Sequence, residues 1–323
     1  MIEEIRNNLF RTEIPLPNSP LKSLNSYIIK GEDRNLIIDT GLNRKECLDA
    51  MHSGLKELDI DLEKTDLFIT HLHADHFGLV SKLATESTKV YFNRPDSEII
   101  ESWDGWDTMI EYGGQNGFPR NELQSAVSSH PGHKFGSEWT PELSILQEGD
   151  RIDVGDYHFT CVETPGHSLG HMCLYEPAAK ILVAGDHILI DITPNIQCWS
   201  DDQNPLADYL DSLDKVSKLD IELVLTGHRR LVTDYKSRIQ ELKDHHYRRL
   251  DEIISILGDS AMSAYEIASK MSWDINCENW EEFPMAQKWF ATGEAISHVR
   301  YLEENKRLKR RIENDVVIFS NAK

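Results

Sequence analysis

The sequence predicts an α/β protein. A layered, strand-rich domain over residues 1–236 is followed by a small α-helical, winged-helix-like domain over residues 237–323. Three observations predict it. Short apolar and β-branched runs alternate with helix-period segments between residues 24 and 93, the pattern of strands joined by helices. Residues 150–187 follow with strand upon strand, separated by turn residues. From about residue 236 the pattern changes to long helical periodicity, closed by two short strand-like runs.

In chain order, "LNSYIIK" and "RNLIIDTG" read as two strands joined by the turn "GEDRN". Cys47, Leu48, Met51, Leu55 and Leu58 recur at helical spacing, which predicts an amphipathic helix over 44–58. "TDLFIT" is a short apolar strand, "FGLVSKLA" starts a helix, and "KVYFN" is a further strand. Residues 94–144 read as irregular. Ile99, Trp103, Trp106 and Ile110 hint at one helix, and Gly, Pro and His punctuate the rest. A connection this long between sheet elements reads as a lid or substrate segment. "RIDVGDYHFTCVET", "HMCLYEP" and "KILVAGD" are strands, a helix covers about 205–219, and the strand "IELVLTG" closes the region. In the second domain "YKSRIQELKDHHYRRLDEIISIL" has the period of one long helix. Ser263, with Glu266 three residues on, forms a capping box. A helix over roughly 285–305 then leads into "NKRLKRRIENDVVIFS", read as a two-stranded wing.

Composition narrows the function classes. At roughly 150 residues per domain, 323 residues suit about two domains. Mean hydropathy is -0.46, and no apolar run approaches the roughly 20 residues of a membrane span. The start, "MIEEIRNNLF", is acidic and lacks the basic and apolar regions of a signal peptide. Cys47, Cys161, Cys173, Cys198 and Cys277 are odd in number, widely spaced and free of CxxC, as in reduced thiols. These features point to the cytoplasm, with no membrane partner. The net charge is -21, and a surface this acidic repels nucleic acid at long range. The tail is closer to balance: from Arg238 onward there are 13 Lys and Arg against 15 Asp and Glu, including the basic knot "KRLKRR". That knot reads as a solvated helix end or turn, with a phosphate contact as the alternative.

The chemistry concentrates in "THLHADHFG", residues 70–78. His71 and His73 stand two apart at a strand end, which sends both side chains the same way. Asp75 and His76 follow in the turn, and imidazole with carboxylate suits zinc. A buried cluster of this kind without a metal would carry costly unpaired polar groups. Later strands end in the same residue types: His167 in "ETPGHSLGH", Asp186 after "ILVAG" and His228 after "LVLTG". The ends of strands are where open sheets build their sites.

These residues, HxHxDH followed by His167, Asp186 and His228, resemble the metallo-β-lactamase fold superfamily over roughly residues 10–235. "IIDTG", with Asp39, is similar to the family's early structural turn. The resemblance implies an αββα sandwich with two divalent ions at one edge, zinc foremost and iron or manganese as alternatives. It implies that His71, His73 and His167 hold one ion. Asp75, His76 and His228 hold the other, and Asp186 bridges the two. A bridging hydroxide between two ions attacks without a Ser or Cys nucleophile, and Asp75 would orient it or relay its proton. His73 stands where diiron flavoproteins of the superfamily tend to have Glu, which favours hydrolysis over redox chemistry. Asp186 stands where the secreted antibiotic-hydrolysing branch has Cys. The ligand set resembles the glyoxalase II-like branch, although that branch's C-terminal glutathione-binding segment is not identified. The tail instead resembles the winged-helix extension of a lactamase-like branch that includes a single-strand ribonuclease. Where the family often has Gly-His-Gly, this chain has Gly227, His228, Arg229. Arg229 is therefore a candidate anion-binding residue, and Trp103 and Trp106 are candidates for an apolar substrate pocket.

The leading expectation is a dinuclear metal-dependent hydrolase of a small ester, thioester or similar acyl substrate. A single-strand nuclease using the winged helix and a non-catalytic ligand sensor are the alternatives, with a homodimer through the C-terminal domain as a further use of that domain.

Overall fold

The computed structural model describes residues 2–103 and 105–322. Its first sheet begins as an antiparallel meander of β1 (Ile2–Arg6), β2 (Leu9–Pro15), β3 (Ser23–Ile29) and β4 (Asn35–Ile38). The chain crosses over through α1 (Lys45–Glu57) to β5 (Thr65–Phe68), which runs parallel to β4. After α2 (Ala74–Phe77) and α3 (Val80–Leu83) comes β6 (Val90–Asn93), also parallel. Four helices follow: α4 (Arg94–Glu101), α5 (Asp107–Gln115), α6 (Arg120–Ser129) and α7 (Pro131–Phe135). β7 (Leu143–Leu146) then completes seven strands in sequence order. The second sheet contains β8 (Arg151–Val154), β9 (Tyr157–Glu163), β10 (Met172–Glu176), β11 (Ile181–Gly185) and β12 (Leu223–Thr226), in the order β12-β11-β10-β9-β8. Its one parallel pair, β11 with β12, is joined by a crossover containing α8 (Pro205–Val216).

Strand alternation assigns each residue to a layer. Tyr27, Ile29, Leu36 and Ile38 pack with Phe159, Cys161, Leu174 and Val183, which fills the space between the two sheets. The intervening Ile28 and Ile37 face the other way, onto Cys47, Met51 and Leu55 of α1. A residue slip in either strand would exchange the two faces, so this double burial fixes the register.

The described residues pack as two compact units. The first consists of Met1–Ser102, Lys134–Pro194 and Ser212–Ile239, and carries both sheets. The second consists of Trp103–His133, Asn195–Asp211 and Gln240–Lys323. The expected boundary at 236 lies in the first turn of α9 (Tyr235–Leu257), and packing also gives the second unit two segments from earlier in the chain.

Residues 94–144, expected to be irregular, are mostly helical. Asn93 caps α4 by accepting the Asp96 N–H at 2.8 Å, with Pro95 in the first turn. Pro119 and Pro131 stand where α6 and α7 begin. The punctuation in this stretch therefore marks helix ends, as proline at a first turn does. The single helix suggested by Ile99 to Ile110 is two helices, separated around Gly105 at φ +117°.

In the second unit, α9 is followed by β13 (Ala261–Met262), α10 (Ala264–Ala268), α11 (Met285–Glu304), β14 (Leu308–Glu313) and β15 (Val316–Asn321), with sheet order β13-β15-β14. The capping box at Ser263 and Glu266 is formed. α11 is buried on nearly every side from Lys288 to Leu302. Trp289 lies against Phe118 of the α5–α6 connection and stacks on Trp199 at 4.1 Å. The charged residues of α11 are answered inside the unit: Glu294 accepts from Asn195 at 2.6 Å, and Arg300 donates to Glu303 at 2.6 Å and to the Asp201 carbonyl at 2.8 Å. Buried charge persists only when paired in this way. No helix among the described residues is long and apolar enough to cross a membrane.

Candidate metal centre

All seven residues singled out as ligands lie in the first unit and converge. β5 runs out at Phe68, and His71 and His73 follow within five residues. His73 is the N-cap of α2, which puts Asp75 in its first turn and His76 in its last. His167 lies in the loop between β9 and β10, and Asp186 directly follows β11. His228 follows β12 by way of Gly227. Three groups of ligand-type side chains result: His71, His73 and His167; His71, His76 and Asp186; and Asp75, His76 and His228. Within each group the potential ligand atoms all lie within 4.8 Å of one another.

Glycines allow this approach. A Cβ on Gly227 would run into Asp186 Oδ1 and come within 3.0 Å of His76 Cε1. Gly185, at φ +46°, lies so close to Thr70 and His171 that a Cβ would meet both, at 2.8 and 2.9 Å.

Hydrogen bonds at the back of the rings fix their tautomers. Asp39, itself at φ +58°, accepts the Thr70 backbone N–H at 2.9 Å, the Thr70 hydroxyl, and His76 Nδ1–H at 2.8 Å. With its hydroxyl hydrogen given to Asp39, Thr70 Oγ1 is left to accept His71 Nδ1–H at 3.0 Å. His228 Nδ1–H donates to the Ser23 carbonyl at 2.7 Å. In each ring Nε2 therefore faces the centre, the orientation in which a neutral imidazole binds metal. The Nε2 atoms of His71, His76 and His228 and Oδ1 of Asp186 are buried and make no hydrogen bond among the described residues. The distance from His76 Nε2 to Asp186 Oδ1 is 3.5 Å, and from His228 Nε2 to Asp75 Oδ2 it is 3.4 Å.

The electrostatics also call for a cation. Burial would raise Asp75 and Asp186, but the neighbouring His228 and His76 hold both carboxyls below the usual range. Burial would lower His76 and His228. Asp39 and Asp186 instead raise His76, and Asp186 and Asp75 raise His228 to about 10. His71 and His73 respond in the opposite direction: burial and neighbouring histidines push His71 well down and His73 to about 3. Neutral imidazoles at His71 and His73, anionic carboxylates at Asp75 and Asp186, and the rings of His76 and His228 once a cation displaces their extra protons form a donor set that fits divalent cations.

Three further residues were singled out as candidate substrate contacts. Arg229, at φ +65°, donates to the Pro20 carbonyl at 2.6 Å. Trp103 and Trp106 belong to the second unit, their rings 5.1 Å apart, with His130 4.8 Å from Trp106. His130 and His133 join none of the three groups. Sequence reasoning missed three supporting residues. Thr70 relays between Asp39 and His71. His171 accepts the Asp186 backbone N–H at 3.2 Å while its Nδ1 bonds Thr164 Oγ1 at 2.8 Å. Asp96 binds the loops of both histidine segments. The proximity of His171 to His167 in "GHSLGH" was the one available signal among these.

Comparison with known proteins gives a consistent result. The family model described as "Metallo-beta-lactamase superfamily" matches residues 21–228. The Bacillus subtilis protein named "Probable metallo-hydrolase YqjP" is 24% identical over 92% of this chain and 93% of its own length. The human "Acyl-coenzyme A thioesterase MBLAC2" is 27% identical over 63% of this chain and 72% of its own. Among solved structures, a metallo-beta-lactamase family protein from Thermus thermophilus superposes with a TM-score of 0.83 at 24% identity, covering 97% of this chain and 98% of that one.

Proposed function

The chain belongs to the metallo-beta-lactamase superfamily and is a hydrolase, and on that premise we propose that it uses two divalent metal ions to hydrolyse acyl thioesters. The observation that carries the reading is the convergence of three ligand groups that share His71 and His76. His71, His73 and His167 would hold one ion, Asp75, His76 and His228 the other, and Asp186 would bridge them. Nitrogen and carboxylate donors without a thiolate suit zinc. Two such ions supply Lewis acidity, making water nucleophilic near neutral pH and polarising the acyl carbonyl. Water then adds to the carbonyl carbon, the C–S bond breaks, and a carboxylic acid and a thiol leave. Asp75, held ionised beside His228 and His76, would orient the attacking water or relay its proton. The thioester assignment rests on the likeness to the human protein named as an acyl-coenzyme A thioesterase.

The second unit is read as a winged helix, from its helix-strand-helix-helix-strand-strand order and its β13-β15-β14 sheet. Two observations count against its use in a nuclease. Lys288 and Arg300, on the helix that would enter a groove, are buried beside Glu122 and Glu303. The net charge of -21 also opposes nucleic-acid binding.

Assaying metal-replete protein against a panel of acyl-coenzyme A esters, with free thiol as the readout, tests the proposal. Turnover is expected, and Asp75→Asn is expected to lower kcat by about 10²–10⁴-fold. Cleavage of single-stranded RNA without thioester hydrolysis would move the assignment to nuclease, and binding without turnover would move it to a sensor.

A further inference from the structure

The Asp96 carboxylate, near the start of α4, is fully buried and lies outside all three ligand groups. Both of its oxygens accept hydrogen bonds from the ligand-bearing loops. Oδ2 accepts from the backbone N–H of Leu72, the residue between His71 and His73, at 2.9 Å. It also accepts from the hydroxyl of Ser168, the residue after His167, at 2.9 Å. Oδ1 accepts from the Gly170 N–H at 2.8 Å. One side chain therefore ties together two loops separated by more than ninety residues, at positions adjacent to all three histidines of one ligand group. The sequence is shaped to receive it. Asn93 accepts the Asp96 N–H at 2.8 Å and offers its own Nδ2 at 3.4 Å. A Cβ on Gly170 would run into Asn93 Oδ1, so only glycine lets that N–H approach. In the other half, His76 is held by Asp39, which also reaches His71 through Thr70, and His228 is held by the Ser23 carbonyl.

We propose that Asp96 is a positioning residue for the three-histidine half of the centre. By locking the His71–His73 loop to the His167 loop, it sets that half's affinity for its metal ion and leaves the Asp75, His76 and His228 half largely unaffected. The inference rests on the metal-centre reading above. The consequence is asymmetric: disturbing Asp96 weakens one metal site of two, whereas a residue needed only for folding would weaken both or neither.

Metal titration of the full chain tests it. Protein stripped with a chelator is titrated with zinc alone against a chromophoric competitor, and in parallel with cobalt, whose visible spectrum reports the coordination of each site. For wild type, two sites are expected. For Asp96→Asn, one site should weaken by about 10–100-fold, as outer-shell substitutions do, with an altered cobalt spectrum, while the other stays within about twofold of wild type. Ser168→Ala removes one of the four donors and should weaken the same site by less. Equal weakening of both sites by Asp96→Asn, or no change in either, overturns the proposal. If Asp96→Asn does not fold, Ser168→Ala decides: selective weakening supports the proposal and unchanged affinities overturn it. Wild-type protein that binds no zinc would remove the metal-centre reading and this inference with it.

Discussion

His76 shows how much a single side chain depends on its neighbours. Its Nε2 faces the centre only because Asp39 accepts the proton on Nδ1. Asp39→Asn keeps a residue that tolerates the left-handed conformation at φ +58°, but it replaces an acceptor with an amide and removes a negative charge. A fall of about 10–100-fold in metal affinity is expected, read by competition titration. Gly227→Ala is expected to do more, because its Cβ would collide with Asp186 Oδ1. Metal content by elemental analysis should fall and kcat should drop by more than about tenfold. At this scale the ligands were legible in the sequence and their supports were not. His167, Asp186 and His228 each follow a strand or its connecting loop, and clustered His and Asp carry their own chemistry. Asp96 looks like an ordinary helix-start acid, and Thr70 like a strand end. Their roles exist only through partners distant in sequence, at Gly170 for the one and Asp39 for the other.

The elements divide in the same way. Strands β3 to β6 and α1 follow directly from alternation and helical period. The β1–β2 hairpin was not read, because "IEEIR" and "LFRTEIP" mix charge into strands that are partly exposed. α11 could not be oriented from the sequence, because a helix buried on almost every side has no single apolar stripe. Its packing leads to a pH effect. His298 of α11 donates Nδ1–H to the Glu294 carbonyl at 2.8 Å, leaving Nε2 to accept His246 Nδ1–H of α9 at 3.1 Å. Burial pushes His298 down to about 3 and His246 well below its ordinary value, with His245 and Arg249 adding positive charge nearby. Since both folded-state values lie below the unfolded one, the unfolded chain takes up protons first as pH falls. The stabilisation is complete above about pH 6.5 and declines below it, by up to about 1.4 kcal/mol per pH unit for each histidine. Urea unfolding between pH 7.5 and 5 should show the decline, and His298→Asn should make it shallower. Equal slopes for the two proteins would remove the attribution. Gly293→Ala should destabilise the same unit by about 1–3 kcal/mol, seen as a lowered Tm, because its Cβ would lie 2.8 Å from Trp199.

For the whole molecule, the sequence conveyed the α/β class and the change of texture near residue 236. It did not convey that Trp103–His133 and Asn195–Asp211 pack with the C-terminal residues. Such long-range pairing leaves no local periodicity to read. The buried α11 and the acidic surface together lead to an expectation that metal-replete protein leaves single-stranded RNA intact at physiological salt, checked by gel. The central claim, that two metal ions in one centre hydrolyse thioesters, is tested most directly by adding zinc back to stripped protein while following thiol release from acyl-coenzyme A. The account predicts negligible activity without metal and a rise that levels off at two zinc ions per chain. Full activity in stripped protein, or no thiol release at any zinc level, would contradict it.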